Sequence, residues 1–152
     1  MKARLAASVV LALAVAVGGS GCSLITYQAT TEKYDASDGV SANVGDLEVR
    51  NLLLVKADDG EDANAVFTVS NHGDRDAELE IGLASGDPET VEVPAGEQVV
   101  LGVDEEPVLL TDVRAAPGGL ADVFLSTEGA EGVEIQVPVL DGRLPEYRHL
   151  VP

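Results

Sequence analysis

The sequence predicts an all-β protein, a two-sheet antiparallel β-sandwich of about eight strands on residues 46–143. Three observations point there. Short segments alternate apolar and polar residues with the period of two that sends successive side chains to opposite faces of a sheet. Gly- or Pro-bearing turns separate these segments. No stretch of this region sustains the 3.6-residue period of an amphipathic helix.

The residues before that region have a different chemistry. Lys2 and Arg4 open the chain, residues 5–17 are apolar except for Ser8, and Gly18-Gly19-Ser20-Gly21 stand directly before Cys22, the single cysteine. This is the pattern of a bacterial lipoprotein signal, in which diacylglycerol is joined to the thiol and a lipoprotein signal peptidase removes residues 1–21. The expected modification is therefore a covalent lipid on Cys22, each buried CH₂ of its palmitate-like chains contributing about 0.8 kcal/mol to anchoring. Gly19 occupies a position where Leu or Val is commoner, so ordinary secretion with a free thiol is the alternative. The apolar run is too short to span a bilayer, which needs about 20 apolar residues. The expected address is the extracytoplasmic face of the cell membrane, with no disulfide available to brace the fold.

Loss of Lys2 and Arg4 with the leader leaves 7 basic against 27 acidic residues, a net charge of about −20. Such a surface repels nucleic acid and anionic headgroups and excludes a DNA or RNA partner. Residues 22–45 are rich in Thr and Ser, with Gln28, Glu32, Lys33, Asp35 and Asp38 among them, and are expected to form a flexible tether, spanning roughly 26 Å on average.

The strands follow in order. Residues 47–56 are long and apolar, as a central strand buried on both sides would be. Residues 65–70 place Phe67 and Val69 on one side. In 76–84, Ala77, Leu79, Ile81 and Leu83 share one face and Glu78 and Glu80 the other. Further segments are 90–93, 98–102, 108–114, 121–126 and 133–140. The clearest turn is Asn71-His72-Gly73-Asp74. Residues 144–152 form a tail in which Pro145 discourages pairing. Tyr147 and Arg148, residue types enriched at binding hot spots, stand there beside Leu150 and Val151. These four are the candidate partner-binding residues, and the competing reading is that the tail packs back over one end of the sandwich.

Catalysis is not expected. Beyond the leader the chain has two histidines, His72 in a turn and His149 in the tail, and neither adjoins a recognisable nucleophile. The acidic clusters 58–62 and 104–106 read as solvated turn charges, with a weak Ca²⁺ site as the alternative, since Ca²⁺ takes six to eight oxygens and the first cluster lacks EF-hand spacing. Trp is absent and Tyr and Phe total five, which leaves little for stacking a sugar or base. No cofactor, metal site or small-molecule substrate is expected.

The order of motifs carries a resemblance. A signal with Cys22, a polar tether, Val49-Arg50-Asn51-Leu52-Leu53-Leu54, Val69-Ser70-Asn71-His72-Gly73-Asp74, Val93-Pro94-Ala95-Gly96 and Val137-Pro138-Val139 together resemble the actinobacterial lipoproteins of the LpqE type. These are similar in layout to periplasmic copper chaperones of the PCu(A)C type. The resemblance covers about residues 46–140 and implies an immunoglobulin-like or cupredoxin-like sandwich. It also implies an accessory role at a membrane-protein complex of the actinobacterial respiratory chain, the cytochrome bcc-aa3 supercomplex. The chaperones supply His and Met ligands after the Asn-x-Gly hairpin and again after the Pro-Ala-Gly turn, because soft ligands select Cu(I). Residues 83–88 and 105–110 stand in those places here and contain neither type, and the only methionine is Met1. A copper- or metal-handling role with unconventional ligands is the alternative.

Overall fold

A computed structural model describes residues 2–20, 34–84 and 86–152, with the side chains of 17–20 left aside. The chain divides into two compact units. In the first, α1 (Lys2–Ser20) is built from Ala, Leu and Val, whose run is free of helix breakers until Gly18. Among the described residues no helix is long and apolar enough to cross a membrane. Cys22 and the tether as far as Lys33 lie outside the described residues.

The second unit holds nine strands: β1 (Val40–Val44), β2 (Leu47–Val55), β3 (Ala63–Asn71), β4 (Ala77–Leu83), β5 (Glu89–Val93), β6 (Gln98–Leu101), β7 (Val108–Leu110), β8 (Leu120–Ser126) and β9 (Val133–Leu140). One layer places β2 between β1 and β3, with β6 and β7 both on the far edge of β3. The other layer runs β5-β4-β8-β9. The strand pairings are antiparallel with one exception, the short parallel match of Leu54 with Val139 and Val55 with Leu140. That match joins the layers into a nine-stranded mixed sheet, and β5 lies beside β7 at its other end. The architecture is the expected all-β sandwich, closed at one edge by a parallel contact that alternation alone does not foretell.

The start of the folded unit corrects one expectation. Residues 40–44 fall in the stretch assigned to the tether, yet they form β1, pair with β2 and bury Val44. Their alternation, Val40, Ala42 and Val44, is short and follows a polar run, which is why it reads weakly.

Parity along β2 explains how its second half, Leu52–Val55, is apolar without a break. Leu47 and Val49 point into the main core, and so do Leu52 and Leu54; an odd series has become an even one. The change occurs where the pairing of Arg50 with Thr68 gives way to Leu53 with Val66, so that two residues of β2 face one of β3. This is a β-bulge, and Asn51 occupies it with φ +53. Asn tolerates that left-handed geometry better than most residues, and its Oδ1 accepts the Gly39 N–H at 2.9 Å. Gly39 has no alternative there, because a Cβ would lie 2.5 Å from the Asn51 carbonyl carbon. After the bulge Leu53 and Val55 face outward, where they form a second apolar cluster with Val66 and Leu150.

The predicted strand 108–114 stops at Leu110. Asp112 adopts φ +57, and the carbonyls of Val113 and Ala115 turn to the Lys56 ammonium, at 2.5 and 3.2 Å. Lys56 is 4 % exposed. A buried ammonium needs acceptors, and the backbone beyond β7 supplies them instead of extending the ladder.

Candidate functional site

The two stretches singled out as the places of copper ligands, 83–88 and 105–110, do come together. Leu83, Gly86, Asp87 and Glu89 from the β4–β5 connection face Leu109, Leu110 and Thr111 across a cavity of about 20 Å³. That volume holds roughly one water molecule. The polar groups here are carboxylates and a hydroxyl, hard ligands that suit neither Cu(I) nor soft-metal transfer. Ser85 lies outside the described residues. Among the described residues no group of three or more His, Cys, Asp or Glu side chains is placed to hold a metal ion.

A wider cleft, about 520 Å³ and open to solvent, lies between the β6–β7 loop and the chain end. Gly102 to Pro107 line one side, His149 and Leu150 the other. Gly102 makes the close approach, with φ +89 and space for no Cβ, which would stand 2.9 Å from Val66 Cγ1. The cleft brings His149 to the Asp104-Glu105-Glu106 cluster, a juxtaposition across more than forty positions that the sequence leaves unconnected.

His72 is on the surface, its Nε2 2.7 Å from Glu48 Oε2, and Glu48 also pairs with Arg50. The neighbouring Asn71 matters more. It is 3 % exposed and donates to the Arg75 and Val93 carbonyls at 2.8 and 2.9 Å, while its Oδ1 accepts the Gly73 N–H. The Asn-x-Gly turn is thus a structural device, built on the amide rather than on the imidazole. Of the acidic cluster 58–62, Asp58 meets Arg143 at 2.9 Å, and that bond with its attendant charge raises the guanidinium's pKa. Asp62 Oδ1 accepts the Asp112 N–H.

The tail packs back on the sandwich, as the competing reading of the sequence had it. A 3₁₀ turn at Arg148–Leu150 drives Leu150, 6 % exposed, against Leu53, Val55 and Val66, with Tyr147 and Val151 packed around it. The Leu150 carbonyl accepts from Asn64 Nδ2 at 2.9 Å. Tyr147 Oη donates to Asp38 Oδ2 at 2.5 Å, a bond that, with burial and the nearby carboxylates, pushes the phenol's pKa up to about 12. Of the four partner-binding candidates only Arg148 is exposed; Leu150 is buried, and Tyr147 and Val151 are half-buried. The outward apolar face of β2 and β3 demanded a cover, and the chain's last residues provide it. That demand was the signal in the sequence, in the unbroken run Leu52-Leu53-Leu54-Val55.

No protein-family model and no curated protein matches the chain. Solved structures do. It is similar to the copper-bound PCuAC domain from PmoF2, with 21% identity, a TM-score of 0.54, and coverage of 67% of this chain and 98% of that one. It is also similar to the apo PmoF2 PCuAC domain (20% identity, TM-score 0.54, 69% and 98% covered). A third likeness is the apo PCuAC domain from PmoF1, at 21% identity, TM-score 0.56, and 66% and 98% coverage. At these identities the likeness establishes the fold, the sandwich of the PCuAC domains.

Proposed function

We propose that this chain is an extracytoplasmic lipoprotein, anchored through lipid on Cys22, that uses a PCuAC-like sandwich as a binding module for a membrane-protein partner. The lipoprotein resemblance suggests the partner's class, a respiratory-chain complex such as the cytochrome bcc-aa3 supercomplex. One observation favours this reading over copper handling: where Leu83, Gly86, Asp87 and Glu89 meet Leu109, Leu110 and Thr111, the described residues present leucines and carboxylates around a cavity of about 20 Å³, with no imidazole or thioether. The fold is that of copper-binding domains, but the convergence offers nothing that selects Cu(I).

Titration of the full chain against a competing Cu(I) chelator tests this. The expected result is no stoichiometric Cu(I) binding, together with co-purification of a membrane complex in mild detergent that is lost in Cys22→Ser. Intact-mass measurement checks the lipid itself. A second reading, metal handling, is favoured by the copper-bound state of one structural neighbour. It requires tight Cu(I) binding that His72→Ala or His149→Ala abolishes.

A further inference from the structure

Among the described residues of the second unit, nothing covers the middle of the outer face of the β5-β4-β8-β9 layer, and that face is chemically one-sided. Phe124, 45 % exposed, projects from its middle, and Leu120, 56 % exposed, stands four residues back on the same strand. The Phe124 ring lies over Gly132, where a Cβ would come within 2.4 Å of Cζ. Opposite Phe124 on β4 is Gly82, over which Pro88 folds with its Cα 3.1 Å from where a Cβ would be. The result is an apolar strip across the sheet with an aromatic ring at its centre.

Carboxylates surround the strip. Glu134 is the register partner of Phe124, and Asp122 precedes it by two on the same face. Glu80 occupies the next row of β4, opposite Ser126. Beyond it Glu78 sits directly across from Glu92, a like-charge cross-strand pair that costs stability. None of β4, β5, β8 or β9 contains Lys, Arg or His. The contrast with β2 is direct, since Glu48 there is met by Arg50 and His72.

We propose that this face is a docking surface for a cationic amphipathic segment of a partner protein, with Lys or Arg side chains toward Glu80, Asp122 and Glu134 and an apolar side chain over Phe124. Charge complementarity selects that occupant. A second copy of this acidic chain, or an anionic bilayer, would be repelled by the same carboxylates. A cation gains from the carboxylates and from the ring face together, and Phe124 supplies the desolvated anchor around which an interface forms. The inference rests on the partner-binding reading above and assigns it a face.

The test uses the full chain purified from membranes and an amphipathic Lys/Leu peptide as probe, with affinity and hydrogen–deuterium exchange measured from low salt to about 0.5 M. Protection is expected on β4, β8 and β9. Phe124→Ala should weaken binding about fivefold to tenfold. Glu80→Gln with Glu134→Gln should flatten the salt dependence. Neutralising Asp104, Glu105 and Glu106 to their amides should change affinity less than about twofold. Equal loss from the loop variant and the face variants, or protection spread over the loops, overturns the proposal, because net charge would then be the whole effect. A second arm separates the face from the function. A native complex retained by wild type and by the face variants alike overturns the face and leaves the binding-module reading. Absence of any membrane partner on wild type, with peptide protection still confined to the face, removes the binding-module reading and supports the surface.

Discussion

The outer face of β2 and β3 and the outer face of β4 and β8 start from the same situation, apolar side chains at positions that point away from the core. On the first, Leu53, Val55 and Val66 are covered by Leu150, Val151 and Tyr147. On the second, Leu120 and Phe124 stay exposed and are ringed by carboxylates. The difference separates two ways of keeping an apolar patch soluble. A cover turns it into core and adds to stability, whereas a charged rim leaves it open at little gain in stability but ready for a partner.

Removing the cover should have the largest effect. Deletion of residues 144–152 forfeits the burial of Leu150 and the hydrogen bond to Asn64, about 4 kcal/mol together. Thermal unfolding should show the midpoint falling by roughly 15 °C. An unchanged midpoint would mean that the strap contributes nothing and that the two faces are equivalent. Leu150→Ala isolates the packing part and should cost about 3 kcal/mol in denaturant unfolding, through lost transfer energy and the cavity it leaves. Asn64→Ala removes only the tie to the Leu150 carbonyl and should cost about 1 kcal/mol.

Tyr147 adds a pH signature to the strap. Its hydroxyl donates to Asp38, and its pKa in the folded chain is pushed up to about 12, above the ordinary value of about 10. Because folding favours the protonated phenol, its contribution is fully present below about pH 10 and is lost as pH rises through about 12. Tyr147→Phe should cost less than about 1 kcal/mol near neutrality. In unfolding curves collected across that alkaline window, the gap between wild type and variant should close. The smallest effect should come from the open face: Phe124→Ala is expected to shift unfolding by about 0.5 kcal/mol, although the ring is larger than the Leu150 side chain. A loss comparable to that of Leu150→Ala would show that Phe124 is core in disguise and would undo the comparison.

Legibility in the sequence varied with the kind of interaction that decides each element. β4 was readable because Leu79 and Ile81 are set against Glu78 and Glu80, so its faces are written in residue type. The absence of soft ligands from 83–88 and 105–110 was likewise a matter of composition. β1 was not readable, since its strand character comes from pairing with β2 rather than from its own short alternation. The end of β7 was hidden for a similar reason, as it depends on the Lys56 ammonium 57 positions away in sequence from Val113.

The sequence by itself determined the all-β class, the strand positions after residue 46 to within a few residues, the acidic surface and the absence of His and Met from residues 83–88 and 105–110. These follow from local alternation, turn residues and composition, which need no knowledge of what lies across the fold. Only the tertiary structure decided the parallel closure of β2 on β9, the bulge at Asn51, the burial of Leu150 and the convergence of 83–89 with 109–111. Each of those depends on which distant segment fills a hydrogen-bonding edge or covers an apolar face. That choice is made by packing the whole chain at once, where a leucine in a tail and a leucine on a strand become core or surface according to what meets them.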